Sequence, residues 1–370
     1  MEATKRPTRD YPSYSSTPWE LWKTIYARRS HRKYLPMEIE EDFISTLEEK
    51  ARLAASIRGA DSESILVVAD TNEVDGVRRK AYKGLQGKIN LWLTRACLGG
   101  FLVLVVPEKD YRADRPRELP LAALAAEDCI LWLTEAGLGT CWLGGISQKE
   151  VRKVLGLGKD KAIPAIISFG KPKKSIKARD FDSMIYRSLS RHRKPLTEIA
   201  YMESTDRSYS LKELPKASFA APPVQDITGL LNRLDEDIME GGDVPLELTV
   251  DACLEAARVS PSGGNIQSWA FIAVTSEEKL EELARSCGGR EGWRAAIVGA
   301  GHTGGFESRM LDKPFWMLDV PIALSQMSLM ATSMGCGVDL CVNEIYEEEV
   351  NRLAGLSSKD LRAVGVLGIR

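Results

Sequence analysis

Three short stretches hold the side chains that suit chemistry. Arg28-Arg29-Ser30-His31-Arg32-Lys33 crowds guanidinium groups around a hydroxyl. Such groups make charge-assisted, bidentate contacts to a phosphate. Arg191-His192-Arg193-Lys194 is a second basic cluster, able to close on the same anion. Ser260-Pro261-Ser262-Gly263-Gly264-Asn265-Ile266-Gln267 is uncharged. Its glycines let the backbone approach a flat ligand closely, and Ser262, Asn265 and Gln267 offer hydrogen-bonding groups. Taken singly, a basic run is commonly a solvated face and a Gly-Gly turn a plain connection. No G-x-x-x-x-G-K-[ST] or G-x-G-x-x-G opens a helix after a strand, so neither a P-loop nor a dinucleotide fingerprint is present.

The elements that must position these stretches recur. Residues 19–27 read as a helix feeding the first basic run. Pro36 interrupts, and residues 38–56 form an amphipathic helix. Strands are expected at 64–69, 101–106 and 162–169. Residues 121–136 form a long, mostly apolar helix of the buried kind. A glycine-punctuated loop at 137–145 and a short helix at 148–155 follow it. Residues 204–223, polar and Pro-containing, make the best linker. Beyond it a helix at 246–259 runs into Ser260-Pro261, then come a strand at 269–275, an apolar helix at 319–334 and a final strand at 361–369. Thr134, Gly137 and Gly139 lie over Thr332, Gly335 and Gly337, and Gly156-Leu157 over Gly355-Leu356. The pattern is two copies of one α+β unit. The copies are complementary. The counterpart of the first basic run, residues 237–241, has no cation, and the counterparts of Pro261 and Asn265 are Ala55 and Gly59. Each copy keeps what the other has lost.

Composition bounds the rest. The chain has 370 residues and a formal net charge of −2. That charge gives no reason to expect nucleic acid or an acidic membrane as partner. No apolar run is long enough to span a membrane, and residues 1–16 are a polar tail without a signal-peptide core. Seven scattered cysteines with no Cys-x-x-Cys read as reduced thiols of a cytoplasmic protein. The three histidines form no metal-ligand pattern.

The chain resembles the FMN-dependent nitroreductase superfamily. The motifs that carry the likeness are Tyr26-Ala-Arg-Arg-Ser-His-Arg-Lys-Tyr34, Ala136-Gly-Leu-Gly-Thr-Cys-Trp-Leu-Gly-Gly145, Arg191-His-Arg-Lys-Pro-Leu-Thr-Glu-Ile199 and the 260–269 stretch. It is most similar to the group in which two fused halves mimic the usual homodimer. The resemblance implies an α/β/α sandwich, tandemly duplicated into an intrachain pseudo-dimer. One half (17–203) carries the phosphate motif and the other (224–370) the Pro-Ser-Gly-Gly-Asn motif. It implies one FMN per chain, held at the phosphate by Arg28, Arg29, Ser30, Arg32, Arg191 and Arg193. Pro261, Ser262, Gly263, Asn265 and Gln267 would line the pyrimidine end and ribityl chain. Leu143 would lie beside the ring, and backbone N–H groups of Gly144 and Gly145 would face the reactive nitrogen. Family members often have Glu where Gly144 stands. NADH or NADPH would supply hydride and a small acceptor would receive it, with no catalytic side chain required. A monomer would suffice. Cys141 reads as a core thiol. Trp142, Phe306, Phe315 and Trp316 are candidates for stacking on an acceptor, with packing the stronger reading. A non-enzymatic flavin binder and a flavin-modifying or dehydrogenating relative remain open alternatives.

Overall fold

The computed structural model describes residues 20–83, 86–173, 193–210, 226–236, 244–304, 313–356 and 358–370. The tail 1–16, Arg191, Phe306, residues 211–223 of the expected linker and residues 237–241 lie outside the described residues.

Two sheets organise the chain. The first contains β1 (Ile65–Val68), β2 (Gly100–Leu104), β3 (Gly139–Leu143) and β4 (Ile166–Gly170), all antiparallel, in the order β1-β2-β4-β3. The second begins with an edge strand, β5 (Ala200–Met202). Then come β6 (Trp269–Val274), β7 (Ala295–His302), β8 (Val338–Cys341) and β9 (Leu361–Ile369), in the order β5-β6-β7-β9-β8. Without β5 the two orders are the same, which is the expected duplication expressed as topology. β5 itself runs parallel to β6. The chain therefore crosses from the first copy to the edge of the second sheet immediately after the second basic cluster.

Helices cover both faces of each sheet. The first copy supplies α1 (Glu20–Ala27), α2 (Glu41–Arg58), α3 (Thr71–Lys80), α4 (Glu118–Glu135) and α5 (Gln148–Val154). The second supplies α6 (Ile227–Glu236), α7 (Leu246–Val259), α8 (Glu277–Ser286), α9 (Trp316–Ser333) and α10 (Glu347–Leu353). α2 and α4 lie on the inner face of the first sheet, α7 and α9 on that of the second, and α4 packs on α9 between them. One hydrophobic cluster runs through all of these inner helices. Two separate clusters lie under the outer helices, α3 and α5 in one copy, α8 and α10 in the other. α4 and α9 are buried almost all round, which is why neither reads as amphipathic.

The register laying Thr134 over Thr332 lays Glu127 over Ser325 and Asp128 over Gln326. The structure pairs these positions crosswise. Gln326 Nε2 donates to Glu127 Oε1 at 2.7 Å, and Ser325 Oγ donates to Asp128 Oδ1 at 2.7 Å. Reciprocal pairing of two equivalent positions is the signature of a two-fold axis. Here it passes between α4 and α9 of a single chain.

Two expectations change. Residues 137–145 are not a loop throughout, because Gly139–Leu143 is strand β3, paired with β4 from Gly139↔Gly170 to Leu143↔Ile166. Its interior, Thr-Cys-Trp-Leu, is good strand sequence, and the flanking glycines only punctuate it. The expected strand at 162–169 is divided. Lys161–Ala162 pairs with Val106–Pro107, and β4 starts only after Pro164, which has no N–H to give a ladder.

Candidate functional site

The polar turn exists because α7 stops early. In the register that lays Ile65 over Phe271, the last turn of α2 corresponds to residues 260–264. α2 continues to Arg58 and is closed by Gly59 in the left-handed region (φ 70°). α7 ends at Val259, since Pro261 cannot continue a helix. The freed residues form a 3-10 turn with positive φ at Gly264, Asn265 and Gln267. Two non-glycine residues held in that region mark a backbone fixed by its surroundings. Pro261 and Gln267 are buried. Ser262 Oγ accepts from Gln267 N at 3.1 Å, and Gln267 Nε2 donates to the Asn265 carbonyl at 3.1 Å. Asp319, at the start of α9, accepts from Gly263 N with both carboxylate oxygens, at 3.0 and 2.9 Å.

The first basic run follows α1 and lies along β3. Ser30 bridges Thr140, and His31 N donates to the Thr140 carbonyl at 2.8 Å. Arg28 is buried, and its Nε has no hydrogen-bond partner among the described residues. Burial lowers its pKa, opposed by the nearby Glu127 carboxylate and Cys141. Arg29 and Ser30 are exposed, and Arg32 is half-buried. Burial and the flanking Arg28, Arg29 and Arg32 together push His31 down, so the run carries its charge on guanidinium groups. Cys141 is buried and its thiol is pushed up by desolvation, which fits a core thiol.

Contacts between the copies draw these pieces together. Tyr26 Oη donates to Glu255 Oε1 at 2.7 Å, tying the start of the basic run to α7. Arg193 Nη1 and Nη2 donate to the carbonyls of Ser260 and Val259, the C-terminal end of α7, where a cation is favoured. Lys194 N donates to Gln267 Oε1 at 2.9 Å and Lys194 Nζ to the Gln267 carbonyl at 3.0 Å. The second basic cluster is thus seated on the polar turn. At the other end, Gly144 and Gly263 come from opposite copies. A Cβ on either would run into the Phe315 ring. Both loops are glycine where one aromatic ring lies against them. Trp142 Nε1 donates to Glu127 Oε2 at 3.0 Å, so this indole is a half-buried partner of Glu127. Leu143 is buried in the outer core of the first sheet.

Several contributors carry no motif: Asn90, Glu127, Lys313 and Asp319. Asn90 Nδ2 donates to the Gly145 carbonyl at 2.7 Å. Lys313 Nζ donates to the carbonyls of Gly144 and Pro164. The signal available beforehand was a carboxylate inside an apolar helix, as at Glu127, Asp128 and Asp319. Buried charges are kept only with partners.

The equivalent place in the other copy is filled. Arg115 bonds Glu347 at 2.6 Å and the carbonyls of Ala363 and Val364. Arg362 joins Glu347 to Asp114 and lies 5.2 Å from the Trp316 ring centroid. Arg58 forms a buried pair with Asp128 at 2.7 Å. In the register laying Pro164 over Ala363, Asn343 and Glu344 replace Gly144 and Gly145.

A family model described as "Nitroreductase family" matches residues 25–171 and 243–301, and one described as "Putative TM nitroreductase" matches residues 122–224. The chain belongs to the nitroreductase family. The matched segments hold the first basic run and β3 in one copy and the polar turn in the other. Similar solved structures include a putative nitroreductase from Thermotoga maritima, 15% identical, covering 100% of this chain and 99% of that one with a TM-score of 0.41. An FMN-dependent nitroreductase from Clostridium difficile is 24% identical over 44% of this chain and 94% of that one, with a TM-score of 0.33. The NADPH:FMN oxidoreductase from Vibrio harveyi, complexed with NAD+, is 22% identical over 43% and 72%, with a TM-score of 0.33. No curated protein matches.

Three observations fit a flat cofactor with an anionic tail. Among the described residues Arg28 Nε is buried without a partner and Gly145 N–H has none, and two glycine loops from opposite copies meet at one aromatic ring, Phe315. Among the described residues no group of His, Cys, Asp and Glu suits a metal ion, and no helix is long and apolar enough to cross a membrane.

Proposed function

We propose that this nitroreductase family member is an FMN-dependent oxidoreductase with one composite site per chain. It would take hydride from NADH or NADPH and deliver it to a small aromatic or quinone-like acceptor. The observation that carries this reading is the meeting of Gly144 and Gly263, one from each copy, at the Phe315 ring.

Bound FMN would supply the hydride chemistry. The chain's own residues would bind and orient it. Arg28, Arg29, Ser30 and Arg32 would hold the phosphate, with Arg191 as a further cation. Arg193 has two nitrogens on α7 carbonyls, so it would act at the turn itself, adding positive charge there. Pro261, Ser262, Gly263, Asn265 and Gln267 would line the pyrimidine end, in a backbone set by Asp319 and Lys194. Gly144 and Gly145 would offer main-chain N–H donors, while Leu143, held in the outer core, would support their loop from behind rather than touch the ring. Phe315 would border the acceptor and exclude water, whereas Trp316, under Arg362, belongs to the filled place of the other copy. Residues 17–203 and 224–370 would act as one unit, so a monomer is sufficient.

The deciding measurement is a visible spectrum of the purified full chain, with flavin quantified against protein. The expected result is close to one FMN per chain, bleached anaerobically by NADH or NADPH. A protein that is colourless and takes up no FMN on soaking overturns the proposal. A flavin that no nicotinamide reduces leaves binding and removes the enzymatic reading.

A further inference from the structure

We infer that Lys313 is a positioning residue which the second copy lends to the flavin loop of the first, raising the reduction potential of the bound flavin. This rests on the FMN reading above.

Lys313 lies just before α9, and its side chain is buried. Its Nζ donates to Gly144 O and Pro164 O, both in the first copy. The duplication supplies an internal comparison. In the register that lays Thr134 over Thr332, Lys313 is the counterpart of Arg115. In the register that lays Pro164 over Ala363, their shared acceptor is one equivalent carbonyl, bonded at 3.0 Å in each case. The two cations reach across the pseudo-two-fold axis in the same way, but their charges are treated differently. Arg115 is neutralised by Glu347, itself joined to Arg362. The counterpart of Glu347 is Gln148, whose Oε1 accepts from Ile163 N instead. Among the described residues Lys313 therefore has two backbone carbonyls and no carboxylate.

A buried ammonium without a counter-ion is costly. Burial alone pushes Lys313 down to about 7. The closed second site has compensated its cation and the open first site has not, which points to a negative charge met only when the site is loaded and working.

The geometry gives the route. A trans peptide places its C=O and N–H on opposite sides. Lys313 holds Gly144 O, so the Gly145 N–H faces away from it, and that donor has no partner among the described residues. Ile146 N also bonds Gly144 O at 3.0 Å, and Asn90 holds Gly145 O. The loop therefore keeps its shape without Lys313, and what Lys313 alone adds is charge. Reduction makes a flavin ring electron-rich and able to carry negative charge. A cation on Nζ in a water-poor site, its protonated form favoured as negative charge arrives, stabilises that state over the oxidised one.

The test measures the midpoint potential of FMN on the full chain by dye equilibration, with oxidised FMN affinity from fluorescence quenching. Wild type, Lys313→Met, Lys313→Arg and Arg115→Met are compared, with near-UV circular dichroism as the check on folding. Lys313→Met is expected to bind oxidised FMN within a few-fold of wild type. Its preference for reduced flavin should fall at least tenfold, a midpoint lower by ~30 mV for this two-electron couple. Lys313→Arg and Arg115→Met should stay near wild type. A Lys313→Met potential equal to wild type, with FMN bound, overturns the inference and leaves the FMN reading intact. Where Lys313→Met fails to fold, Lys313→Gln is measured in its place, and a potential equal to wild type in that variant likewise overturns the inference. A wild type that binds no FMN overturns both.

Discussion

Arg28 shows how a residue's type and its burial together suggest a role. An exposed arginine in a basic run is unremarkable. A buried one whose Nε has no partner among the described residues is costly unless an anion meets it. Arg28→Ala is expected to weaken FMN binding tenfold or more, since hydrogen bonds to charged groups contribute about 1.5–3 kcal/mol. Asn265→Ala should weaken it too, while Gly59→Ala should strain the α2 cap and leave FMN affinity unchanged. Equal losses in all three would refute the single composite site. Glu127 makes a separate prediction. Desolvation pushes its carboxyl up to about 7, against the pull of Arg28, Trp142 and Gln326. The folded state therefore holds a proton that the unfolded state has released between about pH 4.5 and 7. Stability from this group is complete below that window and falls as pH rises through it. Urea midpoints of the wild type should show a component of order 2–3 kcal/mol that declines over this range, and Glu127→Gln should lack it.

At the scale of elements, one proline separates the two copies' chemistry. α2 and α7 start alike, but Pro261 ends α7 where α2 makes another turn and closes with Gly59. In that extra turn Arg58 reaches Asp128 on α4 and Ser328 on α9, both buried. The corresponding space beyond α7 is the polar turn. Arg58→Met should leave the Asp128 carboxylate buried without its cation, at a cost of about 3–5 kcal/mol. A denaturant titration checks this, and a loss under 1 kcal/mol would show that Ser325 alone satisfies Asp128. β5 is a second element-scale device. By joining the second sheet it carries Arg193 and Lys194 onto the α7 end and Gln267.

At the scale of the whole molecule, the pseudo-two-fold axis builds two equivalent places, and the sequence fills one of them with an ion network. Asp114, Arg115, Glu347 and Arg362 knit that place shut across the copies. Glu347→Gln should lower stability, because it leaves two arginines without their shared carboxylate. It should not open a second flavin site, since Asn343 and Glu344 still stand where Gly144 and Gly145 do in the first. Flavin per chain in this variant should stay at one, and a rise towards two would show that the ion network is all that closes the second place.

Much of this was legible before any coordinates. Period and punctuation located the helices at 246–259 and the final strand at 361–369 with the same bounds, because their patterns are local. The duplicated order was legible because equivalent glycines and threonines mark equivalent helix ends. β3 reads as loop in the sequence because its glycines lie at the ends of a strand whose partner is remote in the chain. The thirds of the site supplied by Asp319, Lys313 and Asn90 carry no motif at all. Their roles come from bonds to backbone groups 55 to 169 positions away. A local pattern determines what an element is. Which carbonyl a buried cation meets, and whether a carboxylate meets it too, is decided only when two copies fold against each other, because burial and distance are properties of the packed molecule.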